Sequence, residues 1–135
     1  MMHFVGNYYS FKKSNFQPGM LPETVDADEL KTEQNKKLYC KYCKQHITDV
    51  DQAISIQGAH SHTFTNPAGF VYTINCYQTA MGCVAFGERT DEYTWFSGYE
   101  WQLALCQSCQ TQLGWLFTSM EQFYALIDDR LEQIN

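Results

Sequence analysis

The stretch WFSGYEWQLALCQSCQTQLGWLF, residues 95–117, sets a cysteine knuckle between tryptophans. Its Cys106-Gln-Ser-Cys109 has a counterpart upstream in Cys40-Lys-Tyr-Cys43. Two Cys-x-x-Cys knuckles supply the four thiolates that a tetrahedral, all-sulfur zinc site requires. Four protein ligands leave no position open for water or substrate, so one structural Zn2+ on Cys40, Cys43, Cys106 and Cys109 is expected, with a folding role rather than a catalytic one. The knuckles are separated by 62 residues, far more than in a zinc ribbon, so the metal closes a whole domain as one loop. A redox reading of either knuckle would call for a neighbouring βαβ pattern, which the sequence lacks.

All three tryptophans, Trp95, Trp101 and Trp115, fall within this stretch, and a metal at Cys106 and Cys109 fixes the backbone between the second and third. Two readings are open on composition alone. The rings fill a small β core, or they wall a preorganised pocket. From Leu38 to Phe117 short runs rich in β-branched and aromatic residues alternate with Gly, Asn-Pro and Ser-Gly punctuation, the pattern of an all-β unit. Phe70–Tyr77 is the clearest strand and Met81–Phe86 a second, with Tyr77–Ala80 expected as a hairpin connection and Gly87–Glu92 as an exposed loop. At the end, Phe123, Leu126, Ile127, Leu131 and Ile134 have helical spacing, and Ser119 and Gln122 have capping-box spacing, which predicts a short C-terminal helix.

With 135 residues and 44% apolar composition the chain has the size of a single domain, read as an arm over residues 1–37 and a zinc-binding domain over 38–135. The arm carries Phe4, Tyr8, Tyr9, Phe11 and Phe16 and the turn signal Gln17-Pro18-Gly19. A net charge of −6 with scattered lysines and arginines argues against nucleic acid as a partner. There is neither a secretion-signal pattern at the start nor a run of roughly 18 apolar residues. A soluble, cytoplasmic protein with no membrane partner is expected. Cys76 and Cys83 are read as inert, buried side chains, and His60 and His62 as structural or surface groups rather than ligands. Asp128-Asp129 is read as a solvated face.

The order Cys-x-x-Cys, Asn66-Pro67-x-Gly69, Trp95-Phe-x-Gly-Tyr-x-Trp101, Cys-x-x-Cys and Gly114-Trp115-x-Phe117 resembles the CULT domain, the thalidomide-binding domain of cereblon, over about residues 38–131. In length the chain is similar to the free-standing, single-domain versions found in bacteria. The resemblance implies an all-β fold, a β-tent of two antiparallel sheets pinned by one zinc. It implies that Trp95, Trp101 and Trp115 wall a ligand pocket, that Phe117 closes its base, and that Asn66 and Pro67 approach from a facing loop. It also implies that the ligand's imide is held by main-chain groups at Tyr93 and Trp95. Human cereblon has histidine where this chain has Tyr93 and proline where it has Ser97. Because the contact at the first of these is largely through backbone, the change to tyrosine should tune affinity rather than abolish binding.

The implied function is non-catalytic binding of cyclic imides, such as glutarimides of the thalidomide type, and of uracil or uridine. Implied partners are a small-molecule imide or pyrimidine, or a protein C-terminus bearing a cyclic imide. Physical chemistry is consistent with this, since such rings present acceptor, donor and acceptor in a row that a strand-like backbone can match while indoles sandwich the plane. Three alternatives remain at this point. The cage could read methylated ammonium groups by cation–π attraction. The chain could be an enzyme related to methionine sulfoxide reductases, with Cys76 or Cys83 as nucleophile. The arm's own aromatics could fill the cage. Glu100 lies inside the motif, but strand alternation points it away from Trp101.

Overall fold

The structure, a computed structural model, describes residues 36–134. The arm's aromatics and its Gln17-Pro18-Gly19 turn therefore lie outside the described residues. Among the described residues, nine strands form two antiparallel sheets. The smaller has β1 (Lys37–Cys40) between β2 (His46–Asp49) and β9 (Leu131–Glu132). The larger contains β3 (Ser61–Thr65), β4 (Val71–Tyr77), β5 (Cys83–Thr90), β6 (Glu100–Cys106), β7 (Gln112–Thr118) and β8 (Gln122–Ile127), in the order β3-β4-β8-β7-β6-β5. The all-β architecture of two antiparallel sheets is as expected, except at its C-terminal end.

No C-terminal helix forms. Gln122–Ile127 is β8, a central strand paired with β4 on one side and β7 on the other, followed by one 3-10 turn over Asp128–Arg130 and the short β9. The apparent helical period has a physical origin in burial on both faces. Phe123, Ala125 and Ile127 pack into one core cluster, while Leu126 and Tyr124 pack into another on the opposite face. A strand buried on both faces reads as a continuous apolar run, which periodicity alone does not separate from a helix. Leu131 and Ile134, which completed the helical pattern, lie beyond the turn. Ser119 caps nothing; its N–H donates to the Glu121 carbonyl in the β7–β8 turn.

Two further expectations need correction. Tyr77–Ala80 does not connect a hairpin, because β4 and β5 are not neighbours and β5 lies at the sheet's far edge beside β6. Nor is Gly87–Thr90 a free loop, since it continues β5 through a bulge between Phe86 and Thr90. Its polar, exposed residues reflect that edge position, where a bulge also disfavours pairing with another chain.

The large sheet thus separates two cores. On one face Leu38, Ile47, Tyr77, Leu113 and Leu126 pack around Cys40 and Cys106. On the other Phe96, Trp115, Phe117 and Phe123 pack with Ile74 and Cys76. Alternation sorts β6 between them, Leu103 and Trp101 to the aromatic side and Ala104 and Cys106 to the cysteine side. On β7 simple alternation would send Leu113, Trp115 and Phe117 to the same face. A register slip opposite Ala104 and Leu105 places Leu113 with the cysteines and leaves both aromatics on the other side. Among the described residues no helix is long and apolar enough to cross a membrane.

Candidate functional site

The four cysteine sulfurs converge at one point, all within 4.8 Å of one another. Cys40 Sγ lies 3.7 Å from Cys109 Sγ and Cys43 Sγ lies 3.5 Å from Cys106 Sγ. A tetrahedron of sulfurs about 2.3 Å from zinc has edges of about 3.8 Å, so the donor set fits the ion in both chemistry and size. The two knuckles are built alike. Lys44 N–H donates to the Cys40 carbonyl and Gln110 N–H to the Cys106 carbonyl, each at 2.8 Å, and both Lys44 and Gln110 adopt positive φ. Gly82 holds the knuckles together. Its N–H donates to Ile47 O, its carbonyl accepts from Gln107 N–H, and a Cβ there would lie 2.1 Å from His46 O.

Burial pushes the Cys40 thiol up to about 12 and raises Cys106 as well. Hydrogen bonding from Thr111, whose Oγ1 lies 3.2 Å from the sulfur, brings the exposed Cys109 down to about 6. Zinc must therefore displace protons from the buried pair, with Cys109 the readiest thiolate. All four positions are filled by protein, so this is a structural zinc centre.

On the sheet's other face a cavity of about 290 Å³ is lined by Asn66, Pro67, Tyr72, Tyr93, Trp95, Trp101, Leu103, Gln112, Trp115 and Phe117. All seven of the pocket residues expected from the sequence meet there, and among the described residues none of the lining side chains carries a charge. Trp115 is only 9% exposed and packs edge-on to Trp95, with centroids 4.7 Å apart and planes at 70°. Tyr72 stands edge-on to Trp115 at 5.3 Å. Phe117 is buried and packs against Phe96 and Phe123 beneath the cavity. Trp101 on β6 is held through its indole, whose Nε1–H donates to Glu92 O at 2.8 Å.

The loop before β6 carries Tyr93 and Trp95. Phe96, fully buried, anchors it, and its carbonyl accepts from Tyr99 N–H and from the Thr94 hydroxyl. Tyr93 has φ of 57° and is 73% exposed at the cavity mouth. The backbone N–H and C=O of Tyr93 and of Trp95 have no hydrogen-bond partner among the described residues. Opposite, Asn66 Oδ1 accepts from Phe70 N–H at 2.9 Å and closes the β3–β4 turn that presents Pro67. Glu100 points away as alternation requires, and its carboxylate pairs with Arg89 at 3.3 Å.

Sequence reasoning missed Tyr72, Leu103 and Gln112. Tyr72 shares a strand face with Ile74 and Cys76, and Leu103 with Trp101, so period-two alternation could have found both. Gln112 sits beside the β7 bulge, which leaves no local signal. Arg130, also unforeseen, braces this side, donating from Nη1 to Gln112 O at 2.7 Å with its guanidinium 5.8 Å from the Tyr72 ring. His60 and His62 lie away from the sulfurs and bond backbone carbonyls. Burial pushes the thiols of Cys76 and Cys83 up to about 12.

Comparison with known proteins supplies the remaining findings. Residues 36–130 match the Yippee-Mis18 family, described as Yippee zinc-binding/DNA-binding/Mis18, centromere assembly. The chain is also similar to proteins named cereblon: 31% identical over 87 residues to that of Drosophila willistoni, and 29% identical over 92 residues to that of Drosophila virilis. These alignments cover 62% and 65% of the chain but only 14% of either relative, so the chain spans a small part of the length of those proteins.

Proposed function

We propose that this chain, which belongs to the Yippee-Mis18 family, is a non-catalytic binding domain of the CULT type whose three-tryptophan cage takes a flat, neutral cyclic imide or uracil-like ring. One observation carries this reading. Among the described residues the main-chain groups of Tyr93 and Trp95 have no hydrogen-bond partner, and both residues line a cavity whose described walls hold three indoles and no charged side chain. Unpaired backbone groups next to aromatic faces suit a ring with donors and acceptors on its edge. A cage for methylated ammonium would gain from a carboxylate in its lining, and the described lining residues include none, which favours the neutral ligand.

The reductase and nucleic-acid readings have less support. Cys76 and Cys83 are buried and held protonated, far from the low thiol range that a nucleophile of the reductase type needs. Although the family's description includes DNA binding, a net charge of −6 offers little for phosphate contacts. Pro67 and Tyr93 line the cavity and are exposed, which suits a ring that is a free metabolite or stands at the C-terminus of a polypeptide.

Titrating the zinc-loaded protein with thalidomide and with uridine, while following tryptophan fluorescence, tests the proposal. A trimethyl-lysine peptide serves as control. Saturable, mutually competitive quenching by the two imides is expected, with no response to the peptide and loss of both responses in Trp101→Ala. Unchanged affinity in that variant, or binding of the peptide alone, would overturn it.

A further inference from the structure

Trp95 lies in a loop rather than a strand, so no ladder of hydrogen bonds fixes its ring. Its plane is set by ring contacts, the edge-on Trp115 described above and one stacked ring. Phe64 on β3 lies parallel to it, with centroids 4.9 Å apart and planes at 13°. His62, two residues earlier on the same strand face, stacks on Phe64 in turn, at 5.6 Å and 8°. Three rings thus run in series from β3 to the cavity wall. Phe96 closes the row from the side, meeting both His62 and Phe64 edge-on at 5.2 Å and 5.4 Å.

The far end of this row is clamped. His62 Nε2 lies 3.0 Å from both the Ile56 and Ala59 carbonyls. Carbonyls only accept, so Nε2 carries the proton and donates to the pair. Those carbonyls belong to a two-residue turn in which Ile56 and Ala59 also exchange backbone hydrogen bonds, with Gln57 and Gly58 both at positive φ. Such a turn is stiff. The imidazole is therefore held at one edge by fixed backbone and presents its face to Phe64.

We infer that His62, which does not line the cavity, is a positioning residue that fixes the plane of Trp95 through Phe64 and so preorganises the ligand site. A wall ring whose rotamer is set before binding does not have to be ordered by the ligand. Both features of the side chain contribute: the N–H locks the imidazole to the turn, and the flat face transmits that order to Phe64. The inference rests on the proposed site for its effect on affinity but not for its effect on Trp95.

The test uses the full chain, zinc-loaded and labelled with 5-fluorotryptophan, whose three fluorine resonances are assigned by single Trp→Phe substitutions. His62→Ala is compared with His62→Phe, which keeps a stacking face without the donor, and His62→Gln, which keeps an N–H donor without the face. Spectra are recorded well below the unfolding temperature of each variant, so that a mere loss of stability leaves them unmoved. In His62→Ala the Trp95 resonance should shift and broaden while that of Trp101 stays, with uridine affinity lower by about threefold to tenfold. His62→Phe should restore part of the Trp95 signal, since it keeps the face but loses the donor, and His62→Gln little of it. A Trp95 resonance unchanged in His62→Ala, or restored by Gln as well as by Phe, would overturn the inference. If the wild-type protein binds no uridine, the proposed ligand class fails, while the Trp95 resonance still decides the role of His62. Should His62→Ala not fold, the contrast between the Phe and Gln variants decides it.

Discussion

Replacing Gly114 by alanine tests whether the β7–β8 pairing is as close as the two-core arrangement requires. A Cβ at this position would lie 2.1 Å from the Ala125 carbonyl oxygen and 2.8 Å from Leu126 Cα, both backbone atoms of the paired strand. The obstacle cannot rotate away as a side chain would. Relieving it means parting two central strands by about 1 Å at a point where both faces are buried, and overpacking of that kind costs about 1–3 kcal/mol or more. With backbone as the obstacle the upper end applies. For a unit of this size, 1 kcal/mol moves the melting temperature by about 4–8 °C, so at about 3 kcal/mol Gly114→Ala should lower it by roughly 12–24 °C. The assay is thermal denaturation of the zinc-loaded protein followed by circular dichroism. Gly98→Ala is the control, since its added Cβ meets nothing within 4 Å and the glycine's φ of 87° leaves only backbone strain, about 1–2 kcal/mol. A Gly114→Ala protein melting within about 3 °C of wild type, or no lower than Gly98→Ala, would refute the reasoning.

Chelation of the zinc should unfold the domain cooperatively and abolish any imide-dependent quenching, as circular dichroism and fluorescence in excess chelator would record. Acid should act in the same direction. Metal capture displaces protons from Cys40 and Cys106, both raised by burial, so zinc affinity rises with pH and falls as protons compete, which a metal-indicator titration between pH 5 and 8 would follow. In the zinc-loaded protein Cys76 and Cys83 should resist alkylation by iodoacetamide at pH 8 until denaturant is added, and mass spectrometry of the labelled peptides would show it. Arg130→Gln removes the donor to Gln112 O and the cation over Tyr72, so it should destabilise by about 1–2 kcal/mol in urea denaturation and weaken imide binding without changing zinc content.

What was legible in the sequence divides along physical lines. Residue type and spacing specified the zinc donors, because thiolate chemistry leaves few other uses for two Cys-x-x-Cys knuckles. β-Branched and aromatic composition marked Phe70–Tyr77 as a strand for similar reasons, and the structure has it over Val71–Tyr77. Burial on two sides was not legible. In Phe123–Ile127 it produced a run with helical spacing, and only the partners on either side distinguish that segment from a helix. Edge position misled in the opposite direction, making the exposed half of β5 look like a loop. Strand neighbours are likewise long-range facts, so proximity in sequence suggested a β4–β5 hairpin where the chain crosses the sheet instead. In the cavity, the tryptophans announced themselves by rarity and clustering, whereas Tyr72, Leu103 and Gln112 are common residues brought in by alternation and by a bulge.

That bulge also explains how one hairpin serves two faces. β6 and β7 run away from the second knuckle, so the metal at Cys106 and Cys109 clamps the end where their register begins. On an unbroken pair, the alternation that sends Cys106 to the zinc would govern every later residue. The slip opposite Ala104 and Leu105 gives β7 its own phase. Leu113 can then seal the cysteine-side core, while Trp115 and Phe117, at positions of the same parity, face the cavity across from Trp101 and Leu103. A one-residue change of phase turns every side chain beyond it to the opposite face. The zinc therefore need not approach the cavity to matter there: fixing where the hairpin starts, together with the bulge, fixes which face each tryptophan occupies.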